Sequence, residues 1–418
     1  MPDIRPPDET DREAIALLSG LSFNSPARPE RISLTGRLCV YDGARVAASA
    51  RSIDFDQWFG GARVPCAGIE GVVVQPEDRG RGTAAALVSE LLRKGRAEGR
   101  LVSALYPSTA TLYRKLGYEF AGFRPHFRVA IADLPVGGLP GGRPTNAEVS
   151  ELSVREMDKN EIGEVMTCFS KFARRFNGPV ETADPAFWVD HSLAHAGEGT
   201  YQRTAVVVGK DGIAGYASYF LEERRGGSYA LFCKHLVAIS AAAFNSLIRY
   251  FRRFENAARD LVWLGPVSAG PLGLVLQTNG FALSPSWTRW MLRVLDVPGA
   301  LEARGYPAVE GESVLSVHDP LFPANSGAWV VRASGGRVAV TPTEPRSLVG
   351  AGTASSETTP AKTAPAKTLP IGLFSALYTG LASPSDLVLL GALDEDDPSL
   401  GFLTALFAGP VPWMPDAF

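Results

Sequence analysis

At 418 residues the chain exceeds the roughly 50–250 residues of most single domains, so two or three units with separate cores are expected. A net charge of −3 and an isoelectric point near 6.0 exclude a protein built mainly to hold nucleic acid, which needs clustered Lys and Arg. No apolar run of about 18 residues offers a membrane span. The polar start Met1-Pro-Asp-Ile-Arg lacks the apolar stretch of a secretory signal. Cys39, Cys66, Cys168 and Cys233 show neither CxxC nor metal spacing, so free thiols, no bound metal and a cytoplasmic setting are expected.

A short strand near Ile4 leads to Asp8, an N-cap acid for a first helix. Leu38–Arg51 reads as two strands about an Asp42-Gly43 hairpin turn. A strand from about Val64 to Val74 then meets Gln75-Pro-Glu-Asp-Arg79-Gly80-Arg81-Gly82, followed by an apolar-periodic helix from Thr83 to about Glu98. Glycine tolerates positive φ, and a helix start carries unpaired N–H groups, so this turn is an anion cradle with a strand behind it. It lacks the Lys-Ser/Thr of a P-loop and the third glycine of a dinucleotide fingerprint. Leu101–Tyr106 forms the next strand, before Ser108-Thr109 and Tyr113-x-x-x-Gly117-Tyr118. The strand Phe127–Pro135 is expected to close this unit, and Gly137–Pro144 reads as a linker.

The second unit repeats the plan faintly. Ala205–Tyr219, with Asp211-Gly212, parallels the first hairpin, Asn279-Gly280-Phe281 parallels Leu116-Gly117-Tyr118, and Asp296-Val-Pro298 parallels Asp133-Leu-Pro135. After the strand Leu231–Ile239, however, Ser240-Ala-Ala-Ala-Phe244 holds no glycine or arginine to meet a phosphate. The third unit combines alternating strands at Leu315–Arg332 and Arg337–Thr343 with helices near Leu373 and Leu400. Ala351–Thr368, rich in Ala, Thr, Ser and Pro, reads as a flexible loop. His191-x-x-x-His195 has a metal-like spacing without the glutamate of a zincin and reads as structural. Phe23, Trp58, Asp54 and Asp56 are either cleft residues that attract an amine or ordinary surface and core residues.

Arg79-x-x-Gly82-x-Ala84 after a Val-rich strand, with Tyr113 and Gly117-Tyr118 downstream, resembles the pyrophosphate loop and its flanks in GNAT-superfamily N-acetyltransferases. Adding the Ser316-Val-x-Asp319-Pro…Asn325-x-Gly327-x-Trp329 run and the aromatic C-terminus Phe418, the whole chain resembles the Eis (enhanced intracellular survival) family. The resemblance implies an α/β fold of tandem GNAT-type mixed sheets, the second degenerate, followed by a sterol-carrier-protein-like α+β unit. The expected domains are 1–136, 145–298 and 299–418, with the loop near 351–368 inside the third.

By the same resemblance the cosubstrate is acetyl-CoA, with Val72, Val73 and Val74 along pantetheine, Arg79, Gly80, Arg81, Gly82, Thr83, Ala84 and Ala85 around pyrophosphate, and Ser108 and Thr109 as further contacts. Tyr113 matches the general acid, and the α-carboxylate of Phe418 the general base. The acceptor implied is an amine of a polycationic small molecule, aminoglycoside-like, or a lysine side chain, and the assembly a homohexamer. The competing reading is a lipid-binding protein that uses the third unit.

Overall fold

The computed structural model describes the chain except Met1 and residues 136–151, 194–200, 224–227, 267–269, 277–281, 284–287 and 344–366. The linker at Gly137–Pro144, His195, Asn279-Gly280-Phe281 and most of the Ala351–Thr368 loop lie outside the described residues. The first sheet begins with β1 (Asp3–Arg5), β2 (Arg37–Asp42), β3 (Arg45–Phe59), β4 (Ala62–Val74), β5 (Val102–Leu105) and β6 (Glu119–Arg124). Gly43, at φ 62°, makes the tight turn between β2 and β3. Asp8 accepts from Thr10 N at 2.8 Å while Asp11 accepts from Asp8 N at 3.0 Å. That reciprocal cap starts the turn leading into α1 (Arg12–Phe23). Helix α2 (Thr83–Ala97) buries Leu87, Val88, Leu91 and Leu92 on one stripe against Val40, Ala48, Ile69 and Leu105. Each such side chain contributes roughly 1.5–3 kcal/mol of burial. A short helix α3 (Ala110–Lys115) follows β5.

The second sheet is built from β7 (His126–Ala130), β8 (Ser153–Glu156), β10 (Gln202–Gly209), β11 (Gly212–Glu223), β12 (Tyr229–Ala238), β13 (Asp260–Leu264) and β14 (Ala282–Leu283), while β9 (Val180–Glu181) pairs with β3 of the first. Helices α4 (Ile162–Ala173), α5 (Ala241–Arg252) and α6 (Gly270–Val275) accompany it. The expected closing strand is corrected here: β7 pairs with β13 and β14 in the second sheet. Its place in the first is taken by β15 (Thr288–Val294), inserted antiparallel between β5 and β6. Only Pro125 separates β6 from β7. Lacking an N–H for the ladder, it marks the point where the chain passes from one sheet to the other. No single position in the sequence therefore divides the two sheets.

The third unit is a sheet of order β18-β17-β16-β19, comprising β16 (Gly311–His318), β17 (Gly327–Ser334), β18 (Arg337–Thr343) and β19 (Thr368–Pro370). With it come α7 (Val297–Ala303), α8 (Ile371–Thr379), α9 (Pro384–Leu389) and α10 (Leu400–Leu406). It shares one core with the face of the first sheet opposite α2, where Phe374, Leu377 and Tyr378 join Phe55, Phe59, Trp290 and Leu292. At the junction the fully buried Arg293 of β15 grips Asp319 through two bonds of 2.7 and 2.9 Å. Its other arm donates to Leu116 O at 2.8 Å, and a Cβ at Gly117, φ 83°, would collide with that arm. Asn325 donates to Asp319 and to Leu295 O and accepts from Val297 N. The Asp319…Asn325…Trp329 run is thus an interface hub, with Trp329 Nε1 donating to Asn325 O.

Removing Asp319 leaves a buried guanidinium without its counter-ion, a loss of about 3–5 kcal/mol. Asp319→Ala should therefore lower the urea unfolding midpoint sharply; a shift equivalent to less than about 1 kcal/mol would show that the pair is not holding the junction.

Candidate active site at a forked sheet

Strands β4 and β5 run parallel only from Cys66↔Val102 to Gly68↔Ala104. Beyond Gly68, β4 continues to Val74 bonded to β3 alone, so its edge toward β5 is open. Between Ser49 and Arg51 of β3 the register slips against Glu70–Val73, and Gly71 at φ 57° sits in that bulge. A bulge twists its strand, which turns the Val72–Val74 edge away from the regular ladder.

The strand leads into the expected cradle. Gly80 at φ 76° and Gly82 at φ 82° are both exposed, and added Cβ atoms would meet nothing within 4 Å. Arg79 Nε donates back to Val74 O at 3.1 Å, which ties the turn to the strand. Arg45 bonds both acids before the turn, Asp78 at 2.8 Å and Glu77 at 3.4 Å, which offsets their charge. Gly82 is the N-cap of α2 and supplies no side-chain acceptor to the helix's first N–H groups. Those donors and the helix dipole face the turn, an arrangement suited to a phosphate. On the other arm of the fork Ser108 and Thr109 are exposed.

The last residues of the chain reach the same fork. Trp413 N donates to Asn177 O at 3.0 Å and Met414 N to Phe123 O at 3.1 Å. The segment lies over Gly122 and Gly178, where Cβ atoms would stand 2.6 Å from Pro412 O and 2.7 Å from Trp413 O. Tyr106 donates to Met414 O at 2.8 Å and Arg124 to Pro415 O at 2.9 Å. The Phe418 ring ends 4.9 Å from Phe55 and 6.2 Å from Tyr106, centroid to centroid. A Cβ on Gly68, the last residue of β4 paired with β5, would come within 2.9 Å of it.

Two matches to the acetyltransferase (GNAT) domain cover residues 3–121 and 183–294, and the sterol carrier protein domain matches residues 297–415. N-acetyltransferase Eis of Mycobacterium tuberculosis is 29% identical over 371 residues, covering 81% of this chain and 84% of that protein. The chain belongs to the Eis-type N-acetyltransferases of the GNAT superfamily. A GCN5-related N-acetyltransferase from Anabaena variabilis superposes with a TM-score of 0.86 at 27% identity, covering 100% of both chains. Eis1 from Mycobacterium abscessus shares the fold, with a TM-score of 0.78 at 21% identity over 100% of both chains.

Within this family fold, Tyr113 lies on α3, 5% exposed and edge-on to Tyr118 at 5.9 Å. Burial pushes its phenol up to about 12. Its hydroxyl has no partner among the described residues, whereas Tyr118 is locked to Ser103 Oγ at 2.7 Å. Tyr113 packs with Leu105 and the α2 side chains, whereas Phe418 packs with the core containing Phe55 and Ala104. Successive residues of β5 point to opposite faces, so the two approach the fork from opposite sides of the sheet. Asp54, Asp56 and Trp58 alternate away from Phe55 on β3 and face the side opposite Phe418. Asp54 pairs with Arg100 at 3.0 Å, Trp58 donates to Glu181 at 2.9 Å, and Phe23 is exposed on α1. This disfavours the cleft reading of these four residues.

Sequence reasoning missed the residues that seat the tail. Asp416 is fully buried and accepts from His235 Nε2 at 3.0 Å, and His235 Nδ1 meets Tyr216 OH at 2.7 Å. Burial raises the Asp416 carboxyl, but the His235 charge and hydrogen bond outweigh it and hold it below the usual carboxylate range. Lys234, whose Nζ donates to His191 O, is pushed down to about 8 by burial. The only sequence signal was an acid two residues before the terminus. Among the described residues no cluster of three His, Cys, Asp or Glu side chains could hold a metal, and no helix is long and apolar enough to cross a membrane.

A carboxyl held below its unfolded value of about 3.9 stabilises the fold above that pH and loses the contribution as pH falls through the folded value. Asp416→Asn should therefore be less stable than the parent at pH 7, with the difference closing below about pH 4. A difference independent of pH in chemical denaturation would contradict an ionised clamp.

Proposed function

We propose that the chain transfers the acetyl group of acetyl-CoA directly to an amine at the fork. Val72, Val73 and Val74 would hydrogen-bond pantetheine along the open strand edge, and Arg79 to Ala85 would receive the pyrophosphate, with Ser108 and Thr109 on the opposite arm. The observation that carries this reading is the lodging of Phe418 against Gly68, at the point where the two strands part. On this reading the thioester lies beside the terminal residue.

An alkyl ammonium with a pKa of about 10.4 must lose a proton before it can attack, and an α-carboxylate of about 3.3–3.7 is a weak base in open water. The Phe418 carboxylate therefore acts as general base from a partly desolvated seat, directly or through a relaying water. An anionic base also draws in cationic acceptors. This favours a polycationic small molecule such as an aminoglycoside, or a lysine side chain, as substrate. The backbone edge at Val72–Val74 supports the carbonyl oxygen as charge builds on it. Tyr113 then donates its proton to the departing thiolate. Its raised pKa makes donation to a thiolate, whose thiol has a pKa of about 8.5, uphill in water, but the burial that raises the phenol also raises the pKa of a thiol held beside it.

Tyr113→Phe should lower kcat by about 10²-fold or more while leaving the KM for acetyl-CoA within about twofold. Steady-state thiol release with acetyl-CoA and a panel of polyamines, aminoglycosides and lysine peptides reads this and ranks the acceptors. An unchanged kcat would remove Tyr113 from the proton path.

Gly82→Val places a β-branched residue at φ 82°, a strain of roughly 1–2 kcal/mol, and puts methyl groups into the cradle. The KM for acetyl-CoA should rise about tenfold or more, with kcat far less affected. An unaltered KM in a folded variant would move the pyrophosphate elsewhere.

A further inference from the structure

The second sheet has a fork of its own. Strands β12 and β13 run parallel from Ala230↔Asp260 to Cys233↔Trp263, after which β12 continues to Ala238 bonded only to β11. Lys234 forms a bulge there, as Gly71 and Val72 do in β4, and α5 begins where α2 begins in the first sheet. The chemistry differs. Ser240 caps its own helix by accepting from Ala243 N at 3.2 Å, and no glycine turn precedes it. The helix start therefore offers no backbone cradle for a phosphate.

In place of a cradle this fork opens on a cavity of about 580 Å³, within the roughly 300–1,000 Å³ of small-molecule sites. Phe172, Phe176, Leu236, Phe244, Trp263 and Leu272 are among its lining. Besides the self-capping Ser240, two polar side chains interrupt this apolar lining. Arg175, exposed at the lip, donates to Ile239 O at 3.2 Å and has no acidic partner among the described residues. Trp413, 4% exposed, also lines the cavity, and its indole N–H has no acceptor among the described residues.

We propose that this cavity binds an aliphatic carboxylate, a fatty acid, with its chain between β12, β13 and α5 and its carboxylate on Arg175. The apolar lining disfavours a polyamine, which would find no acid among the described lining residues, and the self-capped helix disfavours a nucleotide. A guanidinium without an acidic partner among the described residues, at the lip of a largely apolar space, matches an amphiphile with one negative end. The site stands apart from the first fork but touches the same tail, because Trp413 both lines it and anchors the segment that ends at Phe418.

The test is titration of the full-length protein with dodecanoate below its micelle concentration, followed by calorimetry and tryptophan fluorescence. One molecule should bind per chain with a Kd on the order of 10 µM. Ala241→Trp, which fills the rim from an exposed helix position, should weaken binding about tenfold or more. Arg175→Glu should do the same for dodecanoate while leaving dodecanol unaffected. Both variants should keep the parent's thermal midpoint and basal acetyl transfer. Absence of saturable binding to the parent would overturn the proposal. So would undiminished binding to Ala241→Trp, which would place the lipid elsewhere, for instance in the sterol-carrier-like unit.

Discussion

The exchange of strands between the two acetyltransferase sheets is the constraint on which the rest of the molecule depends. β7 leaves the first unit at Pro125 to pair with β13, and β15 returns from the second to lie between β5 and β6. Neither sheet is complete without the other. β15 also carries Arg293, whose buried bonds to Asp319 and Leu116 O fix the third unit against the first sheet. Because the third unit is fixed, the chain's last residues are delivered to one place, over Gly122 and Gly178 and into the fork at Gly68. The fork proposed as the active site is therefore reached by a segment that only the assembled fold can position.

The two forks show how one backbone plan diverges through a few side chains. In the first, glycines at positive φ and an uncapped helix start leave backbone donors facing outward. In the second, Ser240 consumes such a donor, no glycine turn precedes the helix, and aromatic side chains from neighbouring elements line the opening. The strands still part in the same way, because the parallel pairing ends within a few residues and a bulge twists the longer strand in each. In the proposed reading the class of ligand changes with these side chains, from a phosphate-bearing molecule at the first fork to an aliphatic carboxylate at the second.

Much of this was legible in the sequence, for physical reasons specific to each element. The Asp42-Gly43 and Asp211-Gly212 turns, the Val-rich strand before the cradle and the helix from Thr83 are local signals, set by φ and by hydrophobic period, and they lie where the pattern puts them. The exchange of β7 and β15 was not legible, because an alternating strand specifies a buried face but not a partner, and Phe127–Ala130 satisfies either sheet. The Asp319–Asn325–Trp329 run was recognisable as a pattern, yet its work as a junction appears only once Arg293 is beside it. The seating of Asp416 was hidden for the same reason. Its partner His235, itself held by Tyr216, is remote in sequence and meets it through the second sheet.

The central claim is that the terminal carboxylate itself takes the proton from the acceptor amine. Joining a synthetic C-terminal peptide to the rest of the chain allows the Phe418 carboxylate to be replaced by a carboxamide with every side chain kept. The account predicts that the amidated protein binds acetyl-CoA normally, keeps its unfolding midpoint and loses at least about 10²-fold in kcat. Turnover equal to that of the carboxylate form would contradict it and leave Phe418 as an aromatic plug in the fork.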